Sequence, residues 1–259
     1  MIQEEFAERA VEILKSDQSV IGLAVVGSWL TNEIDEFSDL DLILVTDKKI
    51  ADDKDKMLAY ANRLGNLLSG FTGEHVGEPR VLICLFDKPL LHVDIKFLTL
   101  EEFGQRIETP TILLDRNSKL QDIIHHTEAK FPYPDFQWIE DRFWIWVHYA
   151  LLKIGRGEYL EAHDFFGFLR MVVFGPLLHI QNKNLPRGVR KVETQLKQAD
   201  FESLKATIPS YSKVSLLESL ENSIVLYKKL RVNLFKADIN LQAKTENKVM
   251  LYLKEIKEK

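Results

Sequence analysis

The stretch VIGLAVVGS at residues 20–28, followed after ten residues by DLDLILVT at 39–46, decides how the first half of the chain is read. Residues 20–26 form a compact, β-branched apolar run that stops at Gly27-Ser28, which predicts a buried strand entering a turn. Residues 39–46 alternate and then become continuously apolar, so they predict a second strand. Outward from this pair, Ile2, Phe6, Ala10, Ile13 and Leu14 recur at helical spacing, and residues 52–68 repeat the pattern after an acidic start. Residues 70–79 are glycine-rich and read as a loop or ragged strand end. Two further strands, 80–86 and 91–98, are joined by Asp87-Lys88-Pro89, short enough for a hairpin. A short helix over 100–107 and a strand over 111–114 complete an α+β region, a small mixed β-sheet with packed helices.

Around FPYPD, residues 131–135, the character changes, because two prolines in three residues are poor helix material and make a plausible connector. Nearly everything after it reads as helix: 136–154, 157–181, 189–206, 212–237 and 239–257. The expected organisation is therefore a domain at 1–130 and a C-terminal helical bundle at 131–259. Charge divides the same way. Residues 1–130 hold 24 acidic and 14 basic side chains, net -10, and residues 131–259 hold 15 and 20, net +5. An excess of +5 is too dilute for a nucleic-acid surface. No apolar run reaches the ~20 residues that span a bilayer, and the acidic amphipathic N-terminus is unlike a signal peptide. These features predict a cytoplasmic chain with no membrane or nucleic-acid partner, and they leave the oligomeric state open. Cys84, the single cysteine, sits in an apolar run and reads as a small buried hydrophobe.

The chemistry gathers at the first turn. On a strand, residues i and i+2 share a face about 6.7 Å apart, so Asp39 and Asp41 project together while Leu40 and Leu42 go the other way. Two adjacent carboxylates repel unless a cation lies between them. Mg²⁺ meets that demand, taking oxygen ligands from one or two carboxylates plus substrate phosphates. His92, Asp94 and Lys96 alternate with Val93, Ile95 and Phe97, which puts a third acid in mid-strand, where burial is costly unless it is paired or metal-bound. If that strand lies beside the Asp39 strand, three carboxylates converge on a site for two metal ions. Gly27-Ser28 supplies a backbone that phosphate can approach, with a hydroxyl and amides to donate. The turn is not a Walker A loop, and no dinucleotide fingerprint is present.

Gly27-Ser28, then Asp39-Leu40-Asp41, then Asp94 on a later strand resembles the motif of the DNA polymerase β-like nucleotidyltransferase superfamily. The resemblance covers about residues 20–98. Within that superfamily, a catalytic domain followed by a helical bundle of similar size is similar to the aminoglycoside and lincosamide nucleotidyltransferases, which confer antibiotic resistance. The resemblance implies the nucleotidyltransferase fold, with residues 131–259 closing on nucleotide and substrate. It also implies Mg²⁺-dependent transfer of a nucleoside monophosphate, AMP from ATP or another triphosphate, to a hydroxyl of a small molecule, with pyrophosphate released. Asp39 and Asp41 would hold metal, and Asp94 would complete a second metal site, take the hydroxyl proton, or both. Glu74 and Glu78, in the upstream loop, are competing bases.

Other candidates have plainer explanations beside them. Lys153 and Arg156 are placed to neutralise triphosphate, but cations at a helix end are favoured by its dipole in any case. Arg170 lies in an apolar stretch and calls for a fixed acidic partner. Trp138, Phe143, Trp144, Trp146 and Tyr149 could stack a ring, although core packing accounts for them better. Two other functions stay open: nucleotidylation of a protein side chain, and a nucleotide-binding regulatory module without turnover.

Overall fold

Every residue of β1 (Val20–Val25) is buried, and the strand is the product of an apolar run too short and too β-branched to prefer a helix. The computed structural model describes residues 1–31 and 33–258. It forms two compact units, Met1–Phe131 and a second from Pro132 onward.

In the first unit, α1 (Ile2–Leu14), β1, β2 (Leu40–Thr46), α2 (Lys54–Leu64), β3 (Asn66–Gly73), β4 (Glu78–Asp87), β5 (Leu91–Thr99), α3 (Leu100–Phe103), β6 (Thr111–Asp115) and α4 (Lys119–His126) follow in order. The strands form one mixed sheet in the order β3-β4-β5-β2-β1-β6. The β2–β5 pair is parallel; its neighbours are antiparallel. Alternation gives the sheet two apolar faces. Leu23, Leu42, Leu44, Ile95 and Phe97 pack with Phe6 and Leu14 of α1 and Met57 and Leu64 of α2. Ala24, Ile43, Val45 and Leu98 pack with Phe103 of α3 and Leu120 of α4. Asp41 and Asp94 share the parity of Ile43 and Leu98, so they lie on this second face, at the end of the strands where its apolar cluster stops.

The sequence reading needs correction in four places here. Residues 66–73 are an edge strand against β4, where the sequence predicts the end of a helix and then a loop or ragged strand end, and Glu78 and Pro79 are the start of β4. The helix after β5 is a single turn, Leu100–Phe103, held by a reciprocal cap between Thr99 and Glu102. Residues 119–126, given no element from sequence, are helical. The second strand begins at Leu40, so Asp39 precedes it.

The second unit consists of α5 (Phe136–Arg156), α6 (Tyr159–Leu169), α7 (Gly175–Gln181), α8 (Val192–Gln195), α9 (Gln198–Lys205), α10 (Lys213–Leu234) and α11 (Ala243–Glu258). Asp135 accepts from Trp138 N–H to start α5, and Gly157, at φ 78°, ends it in the left-handed conformation. The run 157–181 is interrupted by a π-helical turn, Arg170–Phe174. Pro176 explains it, since the ring lacks an N–H and excludes the carbonyl four residues earlier. Phe143, Trp144, Phe166, Phe174 and Tyr227 are fully buried, with Phe143 and Tyr227 stacked at 3.6 Å. The sequence-noted aromatics therefore divide: Phe143 and Trp144 are core, while Trp138 is 40% exposed. No described helix is long and apolar enough to cross a membrane.

Candidate active site

The turn after β1 is built around a glycine that no other residue can replace without disturbance. Gly27 has φ +70°, and a Cβ placed on it would lie 2.2 Å from Asp41 Oδ2. The backbone and the Asp41 carboxylate thus approach as closely as the missing side chain allows. Val26 N–H donates to the Asp41 carbonyl at 3.0 Å, which ties the turn to β2. Residues Gly27–Thr31 then form a short 3₁₀ helix, of which Ser28 is the second residue.

Asp41 is the only residue of β2 that is not fully buried. In the parallel register it stands directly opposite Asp94 of β5, on backbones about 4.8 Å apart. The condition set by sequence, that the Asp94 strand lie beside the Asp39 strand, is met. Asp39, half-buried, sits one residue before β2. His92 Nε2 is 2.9 Å from Asp94 Oδ1, and the Asp94 side chain is 29% exposed. Among the described residues, no three His, Cys, Asp or Glu side chains stand gathered as a metal cage. The Asp41–Asp94 pair, with phosphate oxygens completing the shell, is nonetheless a donor set that suits Mg²⁺.

The competing loop acids are engaged elsewhere. Glu78 receives two bonds from Arg80, both 2.7 Å, and Lys96 Nζ lies 2.8 Å away. The Arg80 guanidinium and then Lys96 hold its carboxyl down at about 2, too low for an effective base at neutral pH. Glu74 accepts from the Thr72 hydroxyl, which also lowers it. Cys84 is buried, and burial pushes its thiol up to about 12, so it behaves as the small hydrophobe expected.

The two cations named from sequence belong to the second unit. Lys153 lies 2.9 Å from both Glu158 and Glu161, and those carboxylates raise it well above its usual range. Arg156 is 4.0 Å from Glu158, with its side chain 63% exposed. Arg170 donates to the Thr207 carbonyl at 2.9 Å, so the fixed acidic partner expected for it is replaced by a backbone acceptor. Sequence reasoning missed Glu108, whose Oε1 accepts from Gly27 N–H at 3.1 Å across 81 residues of chain. It also missed Gln3, which bonds the loop leading to Asp39. Neither has a local sequence signal, because both act through tertiary contact.

Residues 7–118 match the family model for a nucleotidyltransferase domain; the segment contains Gly27, Ser28, Asp39, Asp41 and Asp94. The first unit is therefore a nucleotidyltransferase domain. No match was found among curated proteins. Two solved structures align over nearly the whole chain. An aminoglycoside 6-adenyltransferase from Bacillus subtilis is 16% identical, covers 98% of each chain and has a TM-score of 0.40. A nucleotidyltransferase-like protein from Exiguobacterium sibiricum is 12% identical, covers 96% of this chain and 89% of its own, and has a TM-score of 0.40.

Proposed function

We propose that this chain transfers a nucleoside monophosphate, AMP from ATP in the simplest case, to a hydroxyl of a small polyhydroxylated acceptor such as an aminoglycoside. The observation that carries the proposal is the in-register Asp41–Asp94 pair beside the Gly27 backbone, within a domain of nucleotidyltransferase type. Asp39, Asp41 and Asp94 would hold the divalent ions, which neutralise phosphate charge and lower the pKa of the attacking hydroxyl. The bare turn at Gly27 lets the β- and γ-phosphates approach the backbone, and the Ser28 hydroxyl donates to them. The acceptor oxygen bonds to the α-phosphorus as the bond to the pyrophosphate oxygen breaks. Asp94, oriented by His92, takes the hydroxyl proton and passes it to solvent. Of the two second-unit cations, Arg156 is exposed, while Lys153 is occupied by Glu158 and Glu161.

The test is pyrophosphate release by purified protein with Mg²⁺ and each nucleoside triphosphate, across aminoglycoside and lincosamide acceptors. Release that requires both Mg²⁺ and one acceptor supports the proposal. Tight triphosphate binding without release would favour a regulatory module.

A further inference from the structure

We infer that Gln3, which lies outside the segment matched to the nucleotidyltransferase family, is a positioning residue for Asp39. The side chain is 1% exposed and projects from the first turn of α1. Its Nε2 donates to the Asp35 carbonyl at 3.0 Å and to the Ser38 carbonyl at 2.8 Å. The Ser38 carbonyl belongs to the peptide group that continues into Asp39, so the second bond fixes the plane from which the Asp39 side chain departs.

The turn that Gln3 holds is a self-contained knot. Asp35 N–H donates to Ser38 Oγ at 3.0 Å, Ser38 Oγ donates to Asp35 Oδ1 at 2.9 Å, and Phe37 N–H donates to Asp35 Oδ1 at 3.0 Å. These bonds give the knot a shape but no place. Its tip carries Phe37, 87% exposed, so apolar packing does not seat it. α1 is seated by Phe6, Ala7, Ala10 and Leu14 in the sheet core. The two Gln3 bonds transfer that rigidity to the residue before β2. Sequence spacing cannot convey this link, since Gln3 and Ser38 are 35 residues apart.

The inference rests on the reading of Asp39 as a metal-holding carboxylate, and the test separates the two. Mn²⁺ binding is followed by electron paramagnetic resonance on the full chain with a non-hydrolysable ATP analogue. If Asp39→Asn binds Mn²⁺ like the wild type, the reading of Asp39 fails, and with it the role of Gln3. If Asp39→Asn weakens binding, Gln3→Met, which keeps the length and removes both donors, is expected to weaken it about tenfold, as loss of a group orienting a metal ligand does. That effect must vanish in the Asp39→Asn background, whereas a merely structural loss would persist there. Wild-type affinity in Gln3→Met, or an undiminished effect in the double variant, overturns the inference. Should Gln3→Met fail to fold by circular dichroism, Gln3→Asn carries the same test. Its amide is one methylene too short to reach both carbonyls, and wild-type affinity in it overturns the inference equally.

Discussion

Two pairs of carboxylates, one pair in each unit, stand in contrasting surroundings. In the helical unit Glu140 is fully buried and tied, accepting from Tyr227 Oη, from Arg231 Nη1 at 3.3 Å and from Gln242 N–H at 2.9 Å. Asp200, 5% exposed, accepts from Gln181, Asn182 and Lys229. In the nucleotidyltransferase unit Asp41 and Asp94 are half-buried and face a like charge across one strand spacing. Buried carboxylates need donors on every side, and the helical unit supplies them. Like charges placed opposite each other in a sheet destabilise it, a cost that makes sense where cation and phosphate are to be bound. Acids of the first kind hold a fold; those of the second kind are the ones we propose to hold a cation.

The largest expected effect breaks the second kind. Asp41→Asn should lower Mg²⁺-dependent pyrophosphate release by about a thousandfold. Its urea midpoint should stay unchanged or rise, since a repulsive pair is relieved; a lowered midpoint would make Asp41 structural. The mirror experiment is Glu140→Ala, which strands Tyr227 Oη and Gln242 N–H and leaves Arg231 with Glu246. A loss of about 3 kcal/mol in chemical denaturation is expected.

Gly27→Ala sharpens the contrast. The new methyl would overlap Asp41 Oδ2, and the carboxylate can swing away, so folding should lose only about 1 kcal/mol for the left-handed backbone. Transfer should fall about a hundredfold, because a displacement of about 1 Å at the reacting centre is enough for that. The smallest effect is in acid. Glu78, lowered from 4.5 to about 2 by Arg80 and Lys96, contributes stability that is complete above about 4.5 and is lost as pH falls toward 2. Glu78→Gln should cost about 2 kcal/mol at pH 7, and the difference from wild type should shrink across that acid range.

What could be read from the sequence follows the range of the interactions. The Asp41 and Asp94 positions were legible because strands alternate with period two and both acids fall on the polar phase of that alternation, and Gly27 because it ends a continuous apolar run. That β5 lies beside β2, three strands later in the chain but adjacent in the sheet, is a tertiary fact that the sequence could state only as a condition. β3 was missed for a local reason: Leu67 and Leu68 continue the helical period of α2, and Ser69, Gly70 and Gly73 leave an edge strand with little apolar alternation. α4 was hidden behind Asn117 and Ser118, both left-handed, and it runs for only eight residues. Pro176 was the readable sign that 157–181 could not be one regular helix. Glu108 and Gln3 reach the site from 81 and 35 residues away, beyond any pattern in the local sequence.

We propose Asp41 and Asp94 as the centre of a metal-dependent nucleotidyl transfer. Pyrophosphate release from ATP and Mg²⁺, measured side by side in wild type and in a folded Asp94→Asn variant with an aminoglycoside panel, tests it most directly. Acceptor-dependent release is expected in the wild type, lost without Mg²⁺ and lost in the variant. Release of equal rate in both proteins would contradict it.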